Sequence, residues 1–223
     1  MVYQDAAMRD ADELVPTLRG VLHAYAFWVA LAAAGVLIAL APAAHARIAA
    51  AVYGFGLCAV FAASGLYHRW RWNPRWRPLL RRIDHGTIYV FIAATTTPVA
   101  WLALDGAWRV AVLVAVWAGA IAGVTFSVAW ITAPRVLAAL SYLAVGWAGM
   151  MAMPALVGRL PVTPIVLLVA GAALYMVGAV VYATRRPDPW PRIFGFHEVF
   201  HALVVAAALA HYVAMAGWVI PSA

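Results

Sequence analysis

Seven stretches of about 20 mostly apolar residues fill this chain almost from end to end, and that length is what one helix needs to cross the hydrocarbon of a bilayer. The stretches run roughly from 20 to 41, 46 to 67, 83 to 104, 107 to 130, 135 to 156, 162 to 183 and 195 to 219. Inside lipid each backbone N–H and C=O must be satisfied within the protein, so segments of this kind are helices. The expected fold class is an all-α membrane protein, a seven-transmembrane helix bundle. Composition agrees: mean hydropathy is +0.90, with 67% hydrophobic and 10% charged residues, outside the mix of a soluble domain. Between the stretches lie Pro42, Pro74 and Pro78, Asp105-Gly106, Pro134, Pro161 and Pro164, and the run from Pro187 to Pro191, all helix-breaking punctuation. No connection is long enough to separate two domains. Residues 1–18 are read as a short N-terminal tail and residues 19–221 as one transmembrane domain. The leading QDAAMRDADELVPTLR is acidic and lacks the basic region of a signal peptide, so the first span is expected to be retained.

The net charge of +7 and pI near 10.1 do not point to nucleic acid, because a nucleic-acid binder needs a solvated basic face and so apolar a chain has little surface to give. The charge is better read as topology. Counted by connection, one side of the membrane carries twelve arginines, among them the run RWRWNPRWRPLLRR from Arg69 to Arg82, and the other carries Arg47, Arg109 and Arg159. By the positive-inside rule the N-terminus is cytoplasmic and the C-terminus extracytoplasmic. The expected location is a cell membrane, plasma or inner, as a multi-pass protein. The single Cys58 lies in an apolar run, which excludes a disulfide framework.

Ionisable residues inside spans are costly and mark functional sites. In this orientation they gather at one depth. Ser64 and His68, in SGLYH, lie near the cytoplasmic end of the second span; Asp84 and His85, in RRIDHGTIY, open the third; His197, Glu198 and His201, in HEVFH, open the seventh; His23 lies near the same end of the first. Residues four apart share a helix face, so His197 and His201 aim two imidazoles at one point and His68 is the best third ligand. Three protein ligands plus water make a hydrolytic zinc site, the metal lowering the pKa of that water to about 7. Asp84 is then the group that holds or deprotonates the water or partners a ligand, and Ser64 donates to substrate or to a carboxylate.

Bland readings stand beside these. Each histidine alone can be packing; Asp84 can pair with Arg81 or Arg82 or favour a helix N-terminus; Ser64 can bond the backbone one turn back. His85 and His23 are expected to partner ligands or sit at the interface, His45 in a loop, and His211 in packing or a hydrogen bond. The hydroxyls before Pro98, in TTTP, are expected to satisfy the backbone groups that the proline frees. HEVFH also matches H-E-x-x-H of the zincins, with glutamate as base. No acid follows Glu198, however, and His211 lies about 15 Å along the helix from His201. Leu104-Asp105-Gly106, which resembles an element of intramembrane proteases, precedes the histidines and belongs to the opposite face. Glu198 is read as an edge charge near Arg192. A haem reading built on His197 and His211, fourteen apart, lacks matching histidines on a second helix.

SGLYH with His68, RIDHGTIY with Asp84, and HEVFH with His197 and His201 together resemble the hemolysin III family, grouped with the progestin and adiponectin receptors and the alkaline ceramidases. The resemblance covers nearly the whole chain in helix number, orientation and motif order. It implies that His68, His197 and His201 bind Zn2+ near the cytoplasmic face, that Asp84 contacts the metal-bound water and that Ser64 assists. Where members often carry G-T-Y-T-P, this chain has Ala94-Thr95-Thr96-Thr97-Pro98, which alters the cavity wall. The function expected from residues and resemblance together is metal-dependent hydrolysis of a lipid amide or ester. An amphiphile would reach the site most easily, so the partners are a lipid-like small molecule and the membrane, with no nucleic acid. The rival functions are a non-catalytic, zinc-stabilised sensor, receptor or pore-forming protein and, less favoured, an H-E-x-x-H metalloprotease.

Overall fold

The structure is a computed structural model that describes residues 15–222, so most of the predicted tail lies outside the described residues. Seven helices long and apolar enough to cross a membrane account for nearly all of these residues. They are α1 (Val21–Leu40), α2 (Ala44–Arg69), α3 (Arg77–Ala103), α4 (Gly106–Ala129), α5 (Arg135–Met150), α6 (Val162–Thr184) and α7 (Phe196–Ala214). A single further turn, Met153–Leu156, extends α5, and a π-helical turn, Met215–Val219, extends α7. Breaks fall where backbone chemistry demands them. Ala41 is extended before Pro42, Pro134 and Pro161 stand at the N-caps of α5 and α6, and Arg185 ends α6 in the left-handed region at φ 57°.

The expected spans match these helices to within two residues at most ends, with α3 the exception. It begins at Arg77, with Pro78 in its first turn, so Asp84 and His85 lie about two turns inside it rather than at its opening. A hydropathy window discards the Arg-rich first turns, yet arginine is a good helix former and proline is tolerated at a helix start. The early start carries Asp84 into the bundle.

Each helix packs against the next and α7 returns to α1, closing a ring, while α3 also touches α5 and the π-helical turn. Lipid tails are as apolar as leucine, so helices in a membrane associate through close fit, and small residues at the seams permit it. At Gly56 a Cβ would stand 2.4 Å from the Ala94 Cβ, so α2 and α3 meet at a distance only glycine allows. Large apolar side chains such as Trp28, Leu40, Phe55 and Val162 are exposed on the outer surface, as a lipid-facing perimeter requires.

The segment before α1 is bound to the segment before α7: Thr17 N–H donates to Arg192 C=O at 3.0 Å and Leu18 N–H to Ile193 C=O at 3.1 Å. The beginnings of the first and last helices are thereby held side by side. In α3, Thr96 and Thr97 donate to Ile92 C=O and Ala93 C=O at 2.9 and 2.7 Å. These are the carbonyls one turn back from each threonine, not the Ala94 carbonyl that Pro98 frees, so the expected role of the TTTP hydroxyls is corrected on that point.

Candidate metal centre

Three helices converge at the end of the bundle that bears the Arg-rich connection. α2 brings His68 from its last turn, α7 brings His197 and His201 from its first two, and one ligand atom from each lies within 4.8 Å of the others. His68 Nε2 and His197 Nε2 are 3.1 Å apart. Nitrogens that share a tetrahedral zinc at about 2.0–2.1 Å stand roughly 3.3 Å apart, so this spacing suits a common cation. His201 is buried, and its Nδ1 has no hydrogen-bond partner. The donor set, all imidazole and largely withdrawn from water, fits a borderline-soft divalent ion such as zinc.

From α3, Asp84 reaches the cluster. Its Oδ2 lies 3.6 Å from His68 Nε2 and 3.3 Å from His85 Nδ1, and the residue is 7% exposed. The carboxylate therefore sits beside imidazoles. Arg82, one of the arginines considered for it, instead donates to Val128 C=O at 3.0 Å.

Ser64 lies one turn from His68 on α2, and its hydroxyl meets the Nδ1 of His23 at 2.8 Å, where a substrate or carboxylate was expected. The His23 ring in turn stacks on His201, with centroids 3.8 Å apart and planes at 14°. A stacked ring with a fixed hydrogen bond restricts how His201 can turn. The sequence placed His23 at the right depth, but its contact with His201 depends on how α1 meets α7.

Glu198, the middle acid of HEVFH, is committed elsewhere. One oxygen, Oε2, accepts the Gly195 N–H at 2.8 Å, so the N3 glutamate caps the helix start alone, glycine having no side chain to return the bond. The other, Oε1, pairs with Arg19 Nε at 2.7 Å, so the expected neighbour Arg192 is replaced by Arg19. Asp105, at the opposite end of the bundle, accepts from Arg109 at 2.9 Å and from Arg159 at 2.6 Å. His211 Nε2 donates to Leu168 C=O at 3.0 Å, the hydrogen bond anticipated for it. Neither the protease nor the haem reading gains a ligand from these positions.

A cavity of about 360 Å³ opens from the cluster into the bundle. Its shallow end is lined by His68, Asp84, His197 and His201, and it continues between apolar walls as far as Leu156 and Leu168. Tyr182 and Phe200 flank His197, with ring centroids 6.3 and 5.9 Å away.

Seven spanning helices and a cluster of three histidines close enough to hold a metal ion define a class: multi-pass integral membrane proteins with a candidate metal site at the head of a largely apolar cavity. Within that class this chain belongs to the family described as haemolysin-III related, whose model matches residues 13–212. It is similar to the "Hemolysin-3 homolog" of Bacillus subtilis (strain 168), at 29% identity over 161 residues, 72% of each chain. It is also similar to "Hemolysin-3" of Bacillus cereus, at 28% over 180 residues, 81% of this chain and 79% of the relative. The human "Monocyte to macrophage differentiation factor" matches at 28% over 204 residues, 86% of this chain and 79% of its own.

Proposed function

We propose that this protein is a zinc-dependent hydrolase of a lipid amide or ester. The observation that carries the reading is the joining of a three-histidine cluster and a buried carboxylate to the head of a largely apolar cavity inside a membrane bundle. When bound by His68, His197 and His201, zinc supplies a Lewis acid and a water of lowered pKa. The chain's own residues do the rest. Asp84 Oδ2 takes the proton from the attacking water and returns it to the leaving amine or alcohol, with His85 beside it to steady the carboxylate. Ser64 fixes His23, and His23, through its stacked ring, holds His201 in orientation. The apolar walls take the acyl chain and keep bulk water from the reacting carbonyl.

The sidedness that goes with this reading puts the cluster near the cytoplasmic face of a cell membrane. The twelve-to-three arginine asymmetry supports it.

Elemental analysis of the purified protein is the direct test, alongside His68→Ala, His197→Ala and His201→Ala and a screen of lipid amides and esters. About one zinc per chain, reduced in each variant together with turnover, is the expected result. Zinc that persists in His68→Ala would remove α2 from the site. Full zinc with no turnover of any lipid would favour the non-catalytic reading, in which the ion clamps α2 to α7.

A further inference from the structure

The deep end of the cavity is polar without being paired. Of the threonines before Pro98, Thr96 and Thr97 return their hydroxyls to backbone carbonyls, but Thr95 Oγ1 is buried with no partner. The same holds for Tyr175 OH and His211 Nδ1. All three residues line the cavity, and Thr95 and His211 are 8% and 9% exposed. They belong to one neighbourhood. Tyr175 meets His211 edge to face with centroids 5.5 Å apart, and meets Phe91 at 6.2 Å; Thr95 is one turn beyond Phe91 on the same face of α3. His211 follows His201 by ten residues of helix, so this station lies about 15 Å deeper than the metal centre at 1.5 Å per residue.

Leaving buried polar groups unmade is costly, so three at one wall call for a partner. Their chemistry says which kind. His211 Nε2 donates to Leu168 C=O, so in the neutral ring Nδ1 is a bare acceptor. Thr95 and Tyr175 can each donate. A ligand hydroxyl answers both needs, because it donates to Nδ1 and accepts from Thr95 or Tyr175, whereas a carbonyl answers only the second. The described residues place no Arg, Asp or Glu at this end of the cavity lining, so a charged group has no counter-ion here.

We propose that the deep end of the cavity is a second binding site, for a hydroxyl carried well along the acyl chain of the ligand, at the juxtaposition of Thr95, Tyr175 and His211. The proposal names the substrate class of the hydrolase reading, a mid-chain hydroxyacyl lipid, and rests on that reading for the position of the ligand's polar head.

The experiment compares oleic acid with ricinoleic acid, the same chain bearing one mid-chain hydroxyl, by equilibrium binding to the purified full-length protein. The wild type is expected to hold ricinoleic acid about fivefold to tenfold tighter, the scale of one or two neutral hydrogen bonds. Tyr175→Phe and Thr95→Val keep the shape of the wall, and they should shrink that preference severalfold while leaving oleic acid affinity unchanged. His211 is left intact because its ring fills the space beside Gly171 and its loss would disturb packing. Equal binding of the two acids, binding of neither, or a preference that survives both substitutions overturns the proposal. Pairing the comparison with a lipid-turnover assay of the wild type separates the two ideas. A hydroxyl preference in a wild type that turns over no lipid keeps the deep site and rejects the hydrolase; turnover without any preference does the reverse.

Discussion

Glu198 shows how far a pattern of letters can mislead about a role. In H-E-x-x-H it would be the base, but both of its oxygens are taken, by the Gly195 N–H and by Arg19, and its side chain is 1% exposed against 21% for Arg19. Removing one member of a buried ion pair strands the other, typically at about 3 kcal/mol. Glu198→Gln should therefore lower the thermal unfolding temperature in detergent while keeping zinc and, below that temperature, turnover. Asp84→Asn should do the opposite, with near-normal unfolding and lost turnover. A stable but inactive Glu198→Gln protein would hand the base role back to Glu198. The residues of the cluster were legible because spacing four apart on α7, and shared depth on α2 and α3, follow from helix geometry alone. The link from Ser64 through His23 to His201, and the Arg19 partner, were not, since each joins residues from different helices that no local rule pairs.

At the scale of an element, α3 and the entry to α1 set where the chemistry stands. α3 starts with its arginines, and that brings Asp84 two turns inward to the histidines. Gly20 precedes α1 with φ 74°, and a Cβ there would lie 2.7 Å from the Cβ of His68. An L side chain in the left-handed region costs about 1–2 kcal/mol per residue, and the added methyl would press on a proposed ligand. Gly20→Ala is expected to lower the unfolding temperature and weaken zinc retention, read by calorimetry and by zinc titration against a chelator. A loss of stability with unchanged zinc affinity would show that the contact shapes the fold but not the site.

Across the whole molecule, closure of the ring between α7 and α1 is what assembles one site from four helices. The two backbone bonds from Thr17 and Leu18 to the segment before α7 hold the first and last helices in step, so His23 reaches His201 and Arg19 reaches Glu198. The proposed sidedness has its own check: a reporter enzyme that folds only outside the cytoplasm, fused after Ala223, should be active, and the same reporter inserted in the connection between α2 and α3 should be silent. The reverse pattern would move the histidine cluster to the extracytoplasmic face. The number of helices and the nearness of His197 to His201 were fixed by sequence alone, because a bilayer demands a set length of apolar helix and a helix repeats every 3.6 residues. Which faces turn inward, how the helices are ordered around the cavity and which polar atoms end up unpaired at its depth were decided only by tertiary structure. In lipid both faces of a helix are apolar, so hydrophobic pattern cannot point to the core, and close fit between helices has to choose it.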